Sequence, residues 1–425
     1  MTADPAAAAA RATLESATPG SPVPSSPVPS SPVPQRAVIV LPSTGAFDGR
    51  AHRIAAGLAA RGHDVTVIAR PGPGLPTEAV DPSGYRIRRV GQAVPAGIRT
   101  PLRQIRQLAA IANQRGAAAA AAPSAPDLIH AMGLMGLPVG IALRGRLGGA
   151  LVYDARDLYA DAANMARLPA PLRRLARAVE RRWARSADRV VTVNDALADL
   201  LRDRLGGERP LVVLNASPVR NSGEARPRRF HERLGLPDGT PIVLYHGGFS
   251  AGRGIPELID AMLEVPGAHL VLLGYGRLEG ELRARAARPE LAGRVSVLPA
   301  VPPADLLDWV ASADVVAIPI QGHTLNHRLA TPNKLFEALA AGVPVVASDL
   351  PGMAPIVRDL DAGVLVDPAR PAAIAAGIRA LLDPPADVRE ATRARIRAAT
   401  TGRYDWPAQF ERLLAEYGRL TGRPW

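Results

Sequence analysis

The sequence predicts an α/β protein of two doubly wound domains facing each other across a cleft, and three observations carry that prediction. Short runs of β-branched and aliphatic residues alternate with helical stretches, and the runs are apolar throughout rather than at every second residue. Strands of that kind are buried on both faces, which means a parallel sheet covered by helices. The rhythm occurs twice, interrupted by the polar stretch SPVRNSGEARPRR at 217–229. Finally, 425 residues are ample for two cores, and the absence of cysteine excludes a disulfide-stapled or cysteine-ligated scaffold.

Taken in order, residues 1–35 are rich in Ala, Ser and Pro and repeat SPVPS from Ser21 to Pro34, a polyproline II pattern that cannot pack a core. A solvated tail is the plain reading and a docking peptide the alternative. The first domain, 36–218, follows with strands AVIVL at 37–41, DVTVIA at 64–69, DLIHA at 127–131, ALVYD at 150–154, RVVTV at 189–193 and LVVLN at 211–215. A linker is expected over 219–240. The second domain, 241–403, carries PIVLYHG, HLVLLG, VSVLPA, DVVAIPI, PVVASD and GVLVD. The last segment, 404–425, reads from Tyr404 to Leu420 as a helix with Trp406, Phe410, Leu413, Leu414 and Tyr417 on one stripe, placed to cross back to the first domain. Two such domains put a cleft at the carboxyl ends of both sheets.

Composition narrows the partners. The net charge of +12 rests almost wholly on arginine, since Lys334 is the single lysine among 51 Lys and Arg residues. Arginine abundance beside abundant Ala, Gly and Pro reads as codon bias, and 4% aromatic residues are too few for base-stacking platforms, so no nucleic acid is expected. No apolar run approaches the roughly 18 residues of a membrane span, and the Ala-rich start lacks a signal-peptide pattern, which leads to the expectation of a cytoplasmic protein.

Two segments of the second domain carry the chemistry. In YHGGFSAGRGIPELIDAM, 245–262, a strand ends at Gly247-Gly248 and Arg253-Gly254 opens a helix. Free backbone N–H groups, the positive helix end and a guanidinium suit a diphosphate, although glycines also serve tight strand-helix turns. In ATPNKLFEALAAGVPVVASD, 330–349, Thr331 is the expected N-cap and Pro332 fits the first turn of a helix ending at Gly342. Lys334 then lies in the first turn, where its charge opposes the helix dipole, so an anionic ligand is expected to offset the cost. Glu337 follows on the same face, suited to ribose hydroxyls; the alternative is a surface ion pair with Lys334.

These segments resemble the second half of the family 4 glycosyltransferases, retaining enzymes of the GT-B fold that use nucleotide-diphosphate sugars. The resemblance spans about residues 36–420 and includes FDGRAHRIAAGLAARGHDVTVIA, SADRVVTVNDAL, VVLNASP and GVLVD, with a PNKLFE subgroup form of the donor motif. It implies that Arg253 binds the diphosphate and Glu337 the nucleotide ribose. The expected donor-binding set is Gly49, Gly247, Gly248, Arg253, Asn333, Lys334, Leu335 and Glu337, with Gly45 and Asp157 on the acceptor side. Where the family often has an arginine this chain has Gly248, and Lys334 is the expected replacement. Leu329 stands at the family's other glutamate, which usually addresses the donor sugar. Met132 and Arg156 stand where related sequences often carry histidine, whereas His130 is present and is expected to orient sugar or acceptor; a satisfied core histidine is the alternative. Arg253, Lys334 and His130 form the expected catalytic set. The departing phosphate oxygen of such an enzyme takes the acceptor proton, so neither a dedicated base nor a metal nor any cofactor besides the nucleotide sugar is expected.

The remaining signals are weaker. GYGRLEG at 274–280 departs from a dinucleotide fingerprint and reads as a strand-helix turn, and Asp359-Leu360-Asp361 reads as a loop rather than a metal site. The segment 172–185 sets Leu172, Leu175, Val179 and Trp183 against five arginines; it reads as a helix packed on the first domain, with peripheral contact to an anionic membrane as the alternative. The hydroxyl acceptor is a glycan, glycolipid precursor or small metabolite. A non-catalytic GT-B binding partner and a glycosyl phosphorylase stay open as other functions.

Overall fold

The computed structural model describes residues 33–45, 48–92, 113–122, 125–162, 165, 168–221, 225–291 and 293–425, so the SPVPS repeat up to Ser31 and Pro32 lies outside the described residues. Each apolar run forms a strand. The first sheet holds β1 (Arg36–Val40), β2 (Asp64–Ala69), β3 (Glu78–Val80), β4 (Arg86–Arg89), β5 (Leu128–Met132), β6 (Ala150–Asp154), β7 (Arg189–Thr192) and β8 (Leu211–Val212). Their order is β3-β4-β2-β1-β5-β6-β7-β8, parallel except for the β3–β4 edge pair. The second sheet holds β9 (Ile242–Gly248), β10 (His269–Tyr275), β11 (Val295–Leu298), β12 (Val315–Ile318), β13 (Val345–Ser348) and β14 (Gly363–Val366), all parallel in the order β11-β10-β9-β12-β13-β14.

The strand order reverses between β1 and β5 in one sheet and between β9 and β12 in the other. Ligands of such sheets bind at these switch points, beyond the carboxyl ends of the strands. The loop after β1 and the Gly247-Gly248 end of β9 lie at these two switch points.

Four elements differ from the sequence reading. β3 and β4, EAV and RIRR, are not foreshadowed in the sequence because β3 at the sheet edge and β4 beside it are half-exposed and carry no apolar run. The expected linker contains the helix Arg229–Leu234, whose Phe230 is fully buried in the second core and meets Trp309 edge-on at 5.2 Å. The last helix starts at Trp406 rather than Tyr404 because the Asp405 side chain accepts from Ala408 N and caps it.

That helix, Trp406–Thr421, returns to the first domain. Trp406, Phe410, Leu413, Leu414 and Tyr417 join a core with Ile54, Ala55 and Leu58 of the helix Gly49–Ala60, while Tyr404, two residues before it, belongs to the second core. The arginine-rich helix Ala170–Ala184 buries Glu180 and Ala184, and Tyr153 Oη donates to Glu180 Oε1 at 2.7 Å. Trp183 packs against the first core, but Leu172 and Leu175 stay 50% and 60% exposed, so the stripe is not wholly covered.

Candidate active site

The segment after β9 is built around glycine. Gly254 caps the helix Ile255–Ala261 at φ +68°, and a Cβ there would lie 1.8 Å from the Pro319 carbonyl oxygen, so only glycine fits. Gly247, the residue before the last of β9, takes φ +109°, with the Lys334 Cε and Nζ each 3.8 Å from where a Cβ would be. A side chain there would stand against the ammonium. Gly248 is exposed beside it, and its carbonyl accepts from Tyr245 Oη at 3.0 Å.

Lys334 lies in the first turn of the helix Asn333–Ala341, which Pro332 rather than Thr331 caps. The reason is that Thr331 Oγ1 donates to the Gly352 carbonyl and accepts from Asn194, leaving it no reach to the helix. The Lys334 residue is only 8% exposed, and its Nζ sits 3.6 Å above the Tyr245 ring. Among the described residues no carboxylate comes within 4.0 Å of Lys334 or of Arg253. Burial, and then the charge of Arg253, hold the lysine well below its ordinary value, with Glu337 opposing. Lys334 and Arg253 stand near each other with no carboxylate paired to either among the described residues, an arrangement whose charge suits an anion.

Glu337 does not pair with Lys334 as a surface ion pair. Its Oε2 accepts from His246 Nε2 at 2.8 Å, and its side chain is 15% exposed. Burial pushes the carboxyl up, but the His246 hydrogen bond and the charges of His246, Arg53 and Lys334 outweigh it and leave it below the ordinary value.

The first domain reaches this site through residues that sequence reasoning did not single out. Asn215, just after β8, donates to Asn333 Oδ1 and accepts from Arg53 Nη2 at 2.5 Å. Asn194, just after β7, donates to the Leu329 carbonyl at 2.7 Å and to Thr331 Oγ1 at 2.8 Å. The repeated placement of asparagine after a strand, in VTVN and VVLN, is the signal that could have found both. Arg53 lies 5.2 Å from the centroid of the Trp406 ring; burial pushes it down to about 10 against the raising charge of Glu337. Asp157 Oδ1 accepts from Asn326 Nδ2 at 3.1 Å, so this acceptor-side candidate does touch the second domain. Gly49 opens the helix capped by Asp48, and Gly45 lies in the loop after β1, both at the carboxyl edge of the first sheet.

Two expectations are corrected. His130 is 1% exposed, with Nε2 3.1 Å from Asp154 Oδ2 and Nδ1 2.7 Å from Tyr417 Oη. Both nitrogens are occupied, and Asp154 in turn holds Arg50 at 2.7 Å, so the histidine ties the last helix to the first core, as the core-histidine alternative expected. Leu335 is fully buried in the second core and cannot contact a donor with its side chain. Leu329, at the position of the absent glutamate, packs with Leu325 against the first-domain core; Met132 is buried in that domain, and Arg156 forks onto Asp48 at 2.9 and 3.0 Å. Gly276 makes the turn between β10 and the helix Glu279–Ala286, as the reading of GYGRLEG expected.

Two doubly wound domains, joined by a returning terminal helix and meeting over a cationic, carboxylate-flanked site at a sheet switch point, define the GT-B class. Residues 48–216 match the family model "Glycosyl transferase 4-like domain" and 240–384 match "Glycosyl transferases group 1". The D-inositol 3-phosphate glycosyltransferase of Acidothermus cellulolyticus is 32% identical over 86% of this chain and 83% of its own length. That of Segniliparus rotundus is 32% identical over 68% of this chain and 66% of its own length. Among solved structures, sucrose-phosphate synthase from Thermosynechococcus elongatus superposes with a TM-score of 0.72 at 23% identity, covering 91% of this chain and 99% of that one. The chain belongs to the family 4 glycosyltransferases of GT-B fold.

Proposed function

We propose that this glycosyltransferase moves a sugar, with retention of configuration, from a nucleotide-diphosphate donor to a hydroxyl acceptor. The observation that carries the reading is the buried Lys334 ammonium beside Arg253, next to Gly247 at the end of β9 and without a partnered carboxylate. A diphosphate supplies the missing charge there. As the bond from the sugar C1 to the β-phosphate oxygen breaks, charge grows on that oxygen, and the two cations stabilise it in place of a metal. The acceptor oxygen forms its bond to C1 on the same face, and its proton passes to the departing phosphate oxygen. Glu337 accepts from the ribose hydroxyls.

Relatives named for D-inositol 3-phosphate support a small polyhydroxylated acceptor, bound near Asp157 and the loop after β1. The test is transfer from UDP-, GDP- and dTDP-sugars to D-inositol 3-phosphate, with the anomeric configuration of donor and product compared by proton NMR. Retained configuration supports the reading, and inversion contradicts it.

The exposed Leu172 and Leu175, among Arg173, Arg174, Arg181 and Arg182, further support peripheral contact with anionic lipid. No helix among the described residues is long and apolar enough to cross a membrane. Co-sedimentation with phosphatidylglycerol vesicles at physiological salt is expected, with loss in Leu172→Ser/Leu175→Ser; absence of binding by the unaltered chain contradicts the membrane contact.

A further inference from the structure

His246 is an anomaly of its strand. The preceding residues of β9 are Ile242, Val243, Leu244 and Tyr245, and an aliphatic residue would fill the same buried place without desolvating a ring. The His246 side chain is 3% exposed; Nε2 is spent on Glu337, and Nδ1 is buried without a partner. A residue placed for packing alone has no reason to carry that orphaned nitrogen. Because the carboxylate can only accept, the Nε2 proton points at Glu337 Oε2, which leaves Oε1 as the oxygen available to a ligand.

We infer that His246 is a positioning residue for nucleotide recognition: its Nε2–H holds the Glu337 carboxylate in the orientation that receives the two ribose hydroxyls. The inference rests on Glu337 being the ribose-binding residue of the proposed transferase. The charges around that carboxylate come from three elements: His246 on β9, Lys334 on its own helix and Arg53 on the first-domain helix. Of these only His246 makes a direct hydrogen bond, so orientation depends on it while Lys334 and Arg53 act through space.

The experiment is titration calorimetry of the full chain with UDP and GDP and with their 2′,3′-dideoxy counterparts. The variants are His246→Leu, which fills the space without a donor, and His246→Gln, whose Nε2 restores one. The unaltered chain is expected to prefer the ribonucleotide about tenfold, the scale of hydrogen bonds to a charged group. His246→Leu is expected to lose most of that preference while its dideoxy affinity stays within about twofold, and His246→Gln to recover it. In the leucine variant the preference also fades at higher pH than in the unaltered chain, because Glu337 loses the donor that opposes burial. An unchanged preference in His246→Leu, an equal loss toward both nucleotide forms, or no recovery in His246→Gln overturns the inference. An unaltered chain that binds nucleotide without ribose preference overturns the role of Glu337 itself, and one that binds no nucleotide overturns the donor reading beneath it.

Discussion

Replacing Lys334 by methionine separates function from stability, because the same burial acts on the two in opposite directions. Without ligand, the close favourable contact of the ammonium among the described residues is the Tyr245 ring at 3.6 Å, worth about 1 kcal/mol, with Glu337 adding a weaker attraction through space. Against this stands the cost of burying a cation beside Arg253, which is at least as large. Lys334→Met is therefore expected to leave the melting temperature unchanged or to raise it. Toward a diphosphate the change is large: truncating one partner of a buried, charge-assisted contact costs about 2–4 kcal/mol, a roughly 30- to 900-fold weaker Kd. Titration calorimetry with nucleoside diphosphate and scanning calorimetry of the free chain read the two quantities.

A pH dependence follows from the same residue. Between the depressed folded value and the ordinary 10.5 the unfolded chain binds a proton that the folded chain lacks, so stability rises with pH across that window. The methionine variant lacks this contribution. Diphosphate binding raises the lysine again and takes up a proton, measured as a buffer-dependent binding enthalpy in the same window. A variant that binds nucleotide as tightly as the unaltered chain, or whose melting temperature falls sharply, refutes the reasoning.

Two further substitutions test the framework. Tyr417→Phe removes the hydroxyl 2.7 Å from His130 Nδ1 and is expected to cost about 1–2 kcal/mol in denaturant unfolding while leaving kcat unchanged; a hundredfold fall in kcat would instead restore His130 to the chemistry. Gly254→Ala forces a Cβ against the Pro319 carbonyl and displaces Arg253, so nucleotide affinity should fall at least tenfold, and unaltered affinity would dissociate that loop from the donor site.

The sequence made the architecture legible because parallel strands buried on both faces leave continuous apolar runs. β3 and β4 escaped because RIRR buries little more than one residue of its four. Lys334 was conspicuous as a lone lysine, and the structure adds what composition could not: the Tyr245 ring beneath it and the absence of a carboxylate beside it among the described residues. The sequence left two readings of His130 open because its partner Tyr417 lies 287 residues away, a contact that no local spacing encodes. Leu329 looked like a lost glutamate, yet the side chain packs into the other domain, so the position serves domain contact here. His246 was passed over because its partner lies 91 residues on, across from the strand.

The most direct measurement of the central claim is a melting-temperature screen of the full chain against UDP-, GDP- and dTDP-sugars, with nucleotide release assayed for any that bind. One donor class should raise the melting temperature, by an amount equivalent to about 2.7 kcal/mol at a hundred times its Kd, and should release nucleotide slowly without an acceptor. If no donor shifts the melt at any concentration, the cationic site does not hold a nucleotide-diphosphate sugar, and the chain is a GT-B protein that does not use one.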